Sequence, residues 1–207
     1  MLENMEWLGH DTFKIESGGL VIYTDPFQLK GGLPKADLIL VTHEHRDHCS
    51  PEDIAKIVKD NTVIVTPASC AGKLSGKNIR LVKPGDKLNE LGVEIEAVPS
   101  YNTNKQFHPK ANAWVGYIFN VDGKRIYIAG DTDHIPEMKG YRCDVALLPV
   151  SGTYVMTAEE AVKAAEDIQP KVAVPMHYAS IVGTEEDAER FKRLYKGESY
   201  IFKKRAA

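Results

Sequence analysis

Apolar positions along this chain recur mainly at the two-residue period of strands, in short runs closed by turn residues. Met5–Leu8, Thr12–Glu16 and Leu20–Thr24 read as three strands, with Gly18-Gly19 as the hairpin turn between the last two. Gly31-Gly32-Leu33-Pro34 is a loop. Asp37–Thr42 is almost wholly apolar, the mark of a strand buried on both faces. Further strands are expected at Thr62–Thr66, Ile79–Val82, Gly92–Val98, Val145–Val150 and Val172–Met176. Ala111–Val121 and Lys124–Ala129 form a hairpin around Asp122-Gly123, and Tyr200–Phe202 suggests a last edge strand.

Where the period changes to that of a helix, the caps agree. Ser50 precedes Pro51 and Asp53, which suits an N-cap, a first-turn proline and an acidic third position, with Ile54, Ile57 and Val58 as the apolar face. A short helix is expected near Pro67–Leu74. Thr157 and Glu160 form a capping box for a helix to Ile168, closed by Pro170, and Thr184–Tyr195 is a second capped helix with Gly197 as its stop. Strands first, then helices interleaved, imply two sheets with helices on their outer faces. With no linker or repeat along it, the chain reads as one domain, 1–207.

Composition adds limits. A formal net charge of −3 offers no general surface for nucleic acid or anionic membrane, so no nucleic-acid partner is expected. Lys203-Lys204-Arg205 is a short basic tail that reads as solvated. No run approaches the length of a transmembrane segment, and no signal-peptide pattern opens the chain. Cys49, Cys70 and Cys143 are odd in number and far apart, which implies no disulfide framework and points to a reducing cytoplasm. Cys49 reads as a small buried neighbour of His48. A homo-oligomer through a sheet edge or an exposed helix is compatible with all of this.

Chemistry concentrates in one place. His43-Glu44-His45-Arg46-Asp47-His48 sets three imidazoles and a carboxylate at H-x-H-x-D-H spacing directly after a buried strand. Nitrogen and oxygen donors of this kind suit zinc, manganese or iron. Extended chain at its start puts His43 and His45 on one side, and the turn that follows can return Asp47 and His48 toward a second point, so the spacing fits two metals better than one. Asp131 follows a strand closed by Gly130, and His177 ends the apolar run Val172–Met176; both are placed to add ligands. A carboxylate at Asp131 could bridge two metals through its two oxygens.

The order His-x-His-x-Asp-His, a later histidine, Gly130-Asp131-Thr132 and a strand-final histidine resembles the metallo-β-lactamase superfamily over nearly the whole chain. Trp7-Leu8-Gly9-His10-Asp11-Thr12-Phe13, with Tyr23-Thr24-Asp25-Pro26-Phe27, looks like its branch of small metal-dependent hydrolases, which includes ascorbate-6-phosphate lactonase-like proteins. The resemblance implies a four-layer αβ/βα sandwich of two mixed sheets flanked by helices, with metals at one sheet edge. It implies that His43, His45 and a later histidine hold one divalent ion, that Asp47, His48 and His177 hold another, and that Asp131 bridges. The segment after Val93–Val98 has Ser100, Tyr101 and Asn102 in place of a histidine, so His108 takes the third role. Zinc is favoured, with manganese or iron as alternatives.

The activity so implied is hydrolysis of a small ester, lactone or phosphodiester by a metal-bound hydroxide, with Asp131 or Asp47 carrying a proton to the leaving group. A nuclease of the same fold and a non-catalytic metal-binding module are the alternatives. Asp25 is placed to orient a ligand imidazole. His10 could support the site or touch substrate, and His134 reads as a loop residue or a pocket lining. Lys105 and Lys110, among the asparagines of 101–114, could hold a phosphate or carboxylate, and Tyr154 and Tyr178 could reach the pocket.

Overall fold

The computed structural model describes residues 2–74 and 78–204; Arg205 of the basic tail lies outside them, while Lys203 and Lys204 are exposed. The strands are β1 (Met5–Gly9), β2 (Thr12–Ser17), β3 (Leu20–Thr24), β4 (Leu38–Leu40), β5 (Val63–Pro67), β6 (Asn78–Val82), β7 (Lys87–Glu90), β8 (Val93–Pro99), β9 (Val115–Val121), β10 (Lys124–Ile128), β11 (Val145–Pro149) and β12 (Val172–Met176). They form two six-stranded sheets, ordered β1-β2-β3-β4-β5-β6 and β12-β11-β10-β9-β8-β7. Each is mixed. In the first, β1–β3 pair antiparallel and β3–β6 parallel. In the second, β10–β12 pair parallel and β7–β10 antiparallel.

Strand alternation builds the layers. Leu38, Leu40, Val63 and Val65 point into the core between the sheets, alongside Ile95, Phe119 and Leu147. Their neighbours Ile39, Val41 and Ile64 point the other way, into a second apolar cluster with Ile54 and Ile57 of α1 (Pro51–Ile57). On the far side α2 (Ala158–Ile168) sets Ala161, Ala164, Ala165 and Ile168 against the second sheet, joined by Ala188 and Phe191 of α3 (Glu185–Leu194). Both faces of the central strands are therefore covered, which explains why they read as continuous apolar runs rather than as alternating ones. The caps are as the sequence predicts: Ser50 Oγ accepts from Asp53 N, and Thr157 and Glu160 make a reciprocal capping box.

Several expected elements differ. β4 is confined to Leu38–Leu40 because Thr42 N turns from the ladder to Asp25 Oδ1. The segment before β9 is a 3₁₀ turn over Lys110–Asn112 and a left-handed Ala113. The Pro67–Leu74 helix is 3₁₀, Ala68–Lys73. Tyr200–Phe202 is not a strand: its neighbour Ser199 makes one bridge to Ala173, too few contacts to extend a ladder. β7 carries one apolar residue among Lys87, Asn89 and Glu90, so its edge pairing gave no alternation to read.

All the site-bearing loops leave one edge of this sandwich. Parallel β3, β4, β10 and β12 end there, as does the β1–β2 turn. The sheets are tied at that edge by Val115 N to Thr42 O (3.2 Å), His177 N to His10 O (3.2 Å) and Tyr117 Oη–H to Val41 O (2.8 Å).

Candidate metal centre

The loop after β4 is pinned from within. His48 N and Cys49 N both donate to His45 O, a tight turn that reverses the chain between the two pairs of candidate ligands. Asp131 follows Gly130, whose φ of +61° is a left-handed conformation natural to glycine. A Cβ at Gly130 would lie 2.9 Å from the Cβ of Thr42, so glycine also lets the second sheet press against the first here. His177 itself adopts φ +60°, held by its N–H bond to His10 O.

All seven predicted residues converge, and they fall into two sets. The donor atoms of His43, His45, His108 and Asp131 lie within 4.8 Å of one another, and so do those of His10, Asp47, His48 and His177. Asp131 stands between the sets. Its Oδ2 is 3.1 Å from His108 Nε2 and 3.9 Å from His43 Nε2, while its Oδ1 is 3.2 Å from His177 Nε2 and 3.3 Å from His48 Nε2. Each oxygen addresses one set.

The imidazoles are held by their remaining nitrogens. Asp25 Oδ2 lies 2.8 Å from His48 Nδ1 and accepts from Thr42 Oγ1 at 2.7 Å; Thr42 Oγ1 in turn is 3.0 Å from His43 Nδ1. Asn102 Oδ1 is 3.1 Å from His108 Nδ1, and Ser151 Oγ is 2.9 Å from His177 Nδ1. These contacts orient the opposite nitrogens toward the centre, as outer partners of metal-binding histidines do. The nitrogens so presented, His48 Nε2, His108 Nε2 and His177 Nε2, are buried without a hydrogen-bond partner among the described residues, as is Asp131 Oδ1. Buried polar atoms are rarely left unpaired. Nitrogen and carboxylate donors facing a common point, unsatisfied by the protein, fit divalent ions.

Electrostatics carry the same imprint. Burial disfavours charge on His177, yet the Asp131 carboxylate outweighs it and raises the imidazole to about 9. His48 is likewise raised well above its ordinary range by Asp131 and Asp25 against the cost of burial. Burial also opposes ionisation of Asp131, but His177 and His48 hold it well below the carboxylate range. His43 is pushed well down by burial, and burial lowers His10 to about 4.

Other expectations resolve as follows. His10 is buried, with Nε2 3.0 Å from Asp47 Oδ2, so it supports the site from the β1–β2 turn. His134 pairs with Asp167 of α2 at 2.7 Å and lies outside both sets. Lys105 is bonded to Asp133 (2.7 Å) and Lys110 to Glu137 (3.0 Å), so the two cations of 101–114 are committed to carboxylates. Tyr178 is buried against Trp7, with ring centroids 4.8 Å apart. Tyr154 packs on Phe107 at 4.7 Å. Cys49 is buried in the α1-side cluster, as expected, and all three thiols are free. The sequence reading missed Trp114, whose ring lies 4.9, 4.8 and 5.5 Å from those of His43, His45 and His108 and walls the first set. A tryptophan just ahead of a buried strand was its one signal. Asn102 and Ser151 gave none, since Asn102 acts through the fold of its own irregular loop and Ser151 through a contact distant in sequence.

The Beta-lactamase superfamily domain model matches residues 4–177, which span β1 to the last candidate ligand. The chain belongs to this superfamily. Among its relatives, a UPF0173 metal-dependent hydrolase of Methanopyrus kandleri is 34% identical over 206 residues, covering 90% of this chain and 89% of that one. Another from Thermococcus kodakarensis is 36% identical, covering 92% and 91%. The fold matches a crystal structure described as a metal-dependent hydrolase from Parabacteroides distasonis, with TM-score 0.84, 36% identity and coverage of 95% and 91%. It also matches the metallo hydrolase Igni18 of Ignicoccus hospitalis, with TM-score 0.78, 25% identity and coverage of 98% and 95%. The two mixed sheets and flanking helices are thus the metallo-β-lactamase sandwich, and relatives named metal-dependent hydrolases share it along almost their full length.

Proposed function

We propose that this protein is a hydrolase that uses two divalent metal ions, zinc favoured, to cleave a small ester, lactone or phosphodiester. The observation that carries the reading is the division of Asp131, with one oxygen facing His43 and His108 and the other facing His48 and His177. His43, His45 and His108 would hold one ion, Asp47, His48 and His177 the other, with Asp131 between them. Ions bound there would acidify a water molecule and polarise the scissile group.

The chain's own residues define the rest. Asp131 is only 4% exposed and enclosed by imidazoles, whereas Asp47 is 23% exposed. Asp47 also lines an open cleft of about 470 Å³ with Phe27, Gln28, Arg46 and Ile181. Of the two carboxylates Asp47 is therefore the one that faces the cleft, where it can accept a hydrogen bond from a water molecule or from a leaving group's hydroxyl. His10 holds Asp47 Oδ2, and burial keeps that imidazole neutral near pH 7. Asp47 itself stays ionised: burial opposes this, but His10 and His48 outweigh it and hold the carboxyl far below its ordinary range.

Charge around the mouth favours the uncharged members of the substrate class. Arg46 and Lys56, the cations that line the cleft, are paired with Glu52 (3.1 Å) and Asp53 (2.8 Å). Phe27 and Ile181 give the cleft an apolar wall. An ester or lactone suits this lining better than an anionic phosphodiester, which would have to displace one of those carboxylates. The test is metal analysis joined to an activity screen over acyl esters, lactones and phosphodiesters. Metal-dependent turnover of an uncharged ester or lactone is expected. A protein that takes up no metal overturns the reading, and turnover of phosphodiesters alone overturns the substrate preference.

A further inference from the structure

Asp11 is a buried carboxyl with no hydrogen-bond partner among the described residues. It is fully buried, and neither Oδ1 nor Oδ2 has a hydrogen-bond partner. The nearest imidazole N–H is His48 Nδ1, 3.9 Å from Asp11 Oδ2, and that nitrogen is already committed to Asp25 Oδ2 at 2.8 Å. Burial raises this carboxyl to about 7, against the pull of the His177 and His48 imidazoles, because a carboxylate taken from water without hydrogen-bond donors is costly. Yet the backbone holds Asp11 where it is by several contacts. His10 before it has φ +53°, and His10 O accepts from Trp7 Nε1 and from His177 N, while Asp11 O accepts from Thr24 Oγ1. A turn fixed so firmly around two buried, unpartnered carboxyl oxygens points to a cation as their missing partner.

The position agrees. Donor atoms of Asp11, Asp131 and His177 lie within 4.8 Å of one another, beside the second set and apart from His43, His45 and His108. We propose that Asp11 is an additional carboxylate donor for the second metal position, and that it makes this position the oxygen-rich half of the pair. The first position would then have three imidazoles and one oxygen of Asp131. The second would have His48 and His177 with oxygens of Asp131, Asp47 and Asp11. Carboxylates favour harder ions than imidazoles do, so the second position takes manganese more readily, relative to zinc, than the first. The inference rests on the metal reading of the site and extends it by one residue.

The experiment uses the full chain stripped of metal, as wild type, Asp11→Asn and Asp11→Ser. Mn²⁺ and Zn²⁺ are each titrated, with uptake followed by the resonance of free Mn²⁺ and by calorimetry, and each metal-free variant is melted. Two equivalents are expected in the wild type. In both variants one equivalent should bind Mn²⁺ about tenfold or more weakly, with a smaller change for Zn²⁺ and the other equivalent unaltered. The metal-free variants should melt at or above the wild-type temperature, because a buried carboxyl whose oxygens lack hydrogen-bond partners has gone. Unchanged Mn²⁺ binding in the variants overturns the proposal. So does a lower melting temperature together with equal loss of both equivalents, which marks a packing role. A wild type that binds neither ion overturns the metal reading itself, a failure distinct from that of Asp11.

Discussion

Asp25→Asn isolates the scaffold behind the ligands. Asp25 is fully buried; its Oδ1 accepts from Thr42 N at 2.8 Å, and its Oδ2 accepts from Thr42 Oγ1 at 2.7 Å and lies 2.8 Å from His48 Nδ1. The amide keeps the Oδ1 bond but puts an NH₂ where Oδ2 accepted two hydrogens. Two charge-assisted bonds are lost, each worth about 1.5–3 kcal/mol. Because they share one oxygen they are not additive, so a stability loss of about 3 kcal/mol is expected. At this chain length that is a fall of roughly 6–12 °C in melting temperature. The second consequence is separate. The amide favours the His48 tautomer with its hydrogen on Nε2, which then cannot donate electrons to a metal, and outer partners of this kind are worth about 10–100-fold in metal affinity. Thermal melts of the metal-free protein read the first effect and calorimetric metal titration reads the second. Thr42→Val, which leaves the His48 contact but removes the hydroxyl 3.0 Å from His43 Nδ1, should lower stability and shift the loss of metal affinity to the His43 set. If Asp25→Asn melts within a degree or two of the wild type and binds both equivalents unchanged, the reasoning fails.

Four further outcomes follow from the same geometry. Asp131→Asn, which replaces one of the oxygens between the two sets, should abolish activity and reduce bound metal; retention of both by elemental analysis and assay would remove Asp131 from its place between the ions. His108→Ala and His177→Ala should each lower the stoichiometry from two toward one per chain, and loss of neither equivalent from His108→Ala would assign the third role elsewhere. Gly130→Ala combines a left-handed backbone with a Cβ 2.9 Å from Thr42, and should cost about 1–3 kcal/mol, read as a lower denaturation midpoint. Metal uptake at pH 7.5 should release protons, because His48 and His177, raised by Asp131, carry charge in the metal-free protein and a ligating nitrogen cannot. Calorimetry in buffers of differing ionisation enthalpy measures the release, which should shrink as pH rises through about 9, where His177 loses its proton unaided. A heat independent of buffer at pH 7.5 would contradict it.

What the sequence determined by itself was the local chemistry and the elements that carry it. The H-x-H-x-D-H run, the buried strand before it, the caps at Ser50 and Thr157 and the strand-final placing of Asp131 and His177 all depend on neighbours close in the chain, and periodicity and spacing report such neighbours directly. Elements without a local pattern were not legible. β7 is polar at an edge, and Tyr200–Phe202 is apolar yet gains one bridge, because strand pairing is decided by what lies alongside. Tertiary structure alone decided how the ligands divide. Asp131 can face two sets only because the ends of β4, β10 and β12, from different sheets, meet at one edge. The same closure puts Trp114 over the first set, commits Lys105 and Lys110 to carboxylates, and leaves Asp11 buried without a donor. In the sequence Asp11 is one residue of a turn; fully buried, where water cannot reach it, it becomes a carboxyl whose oxygens need a partner.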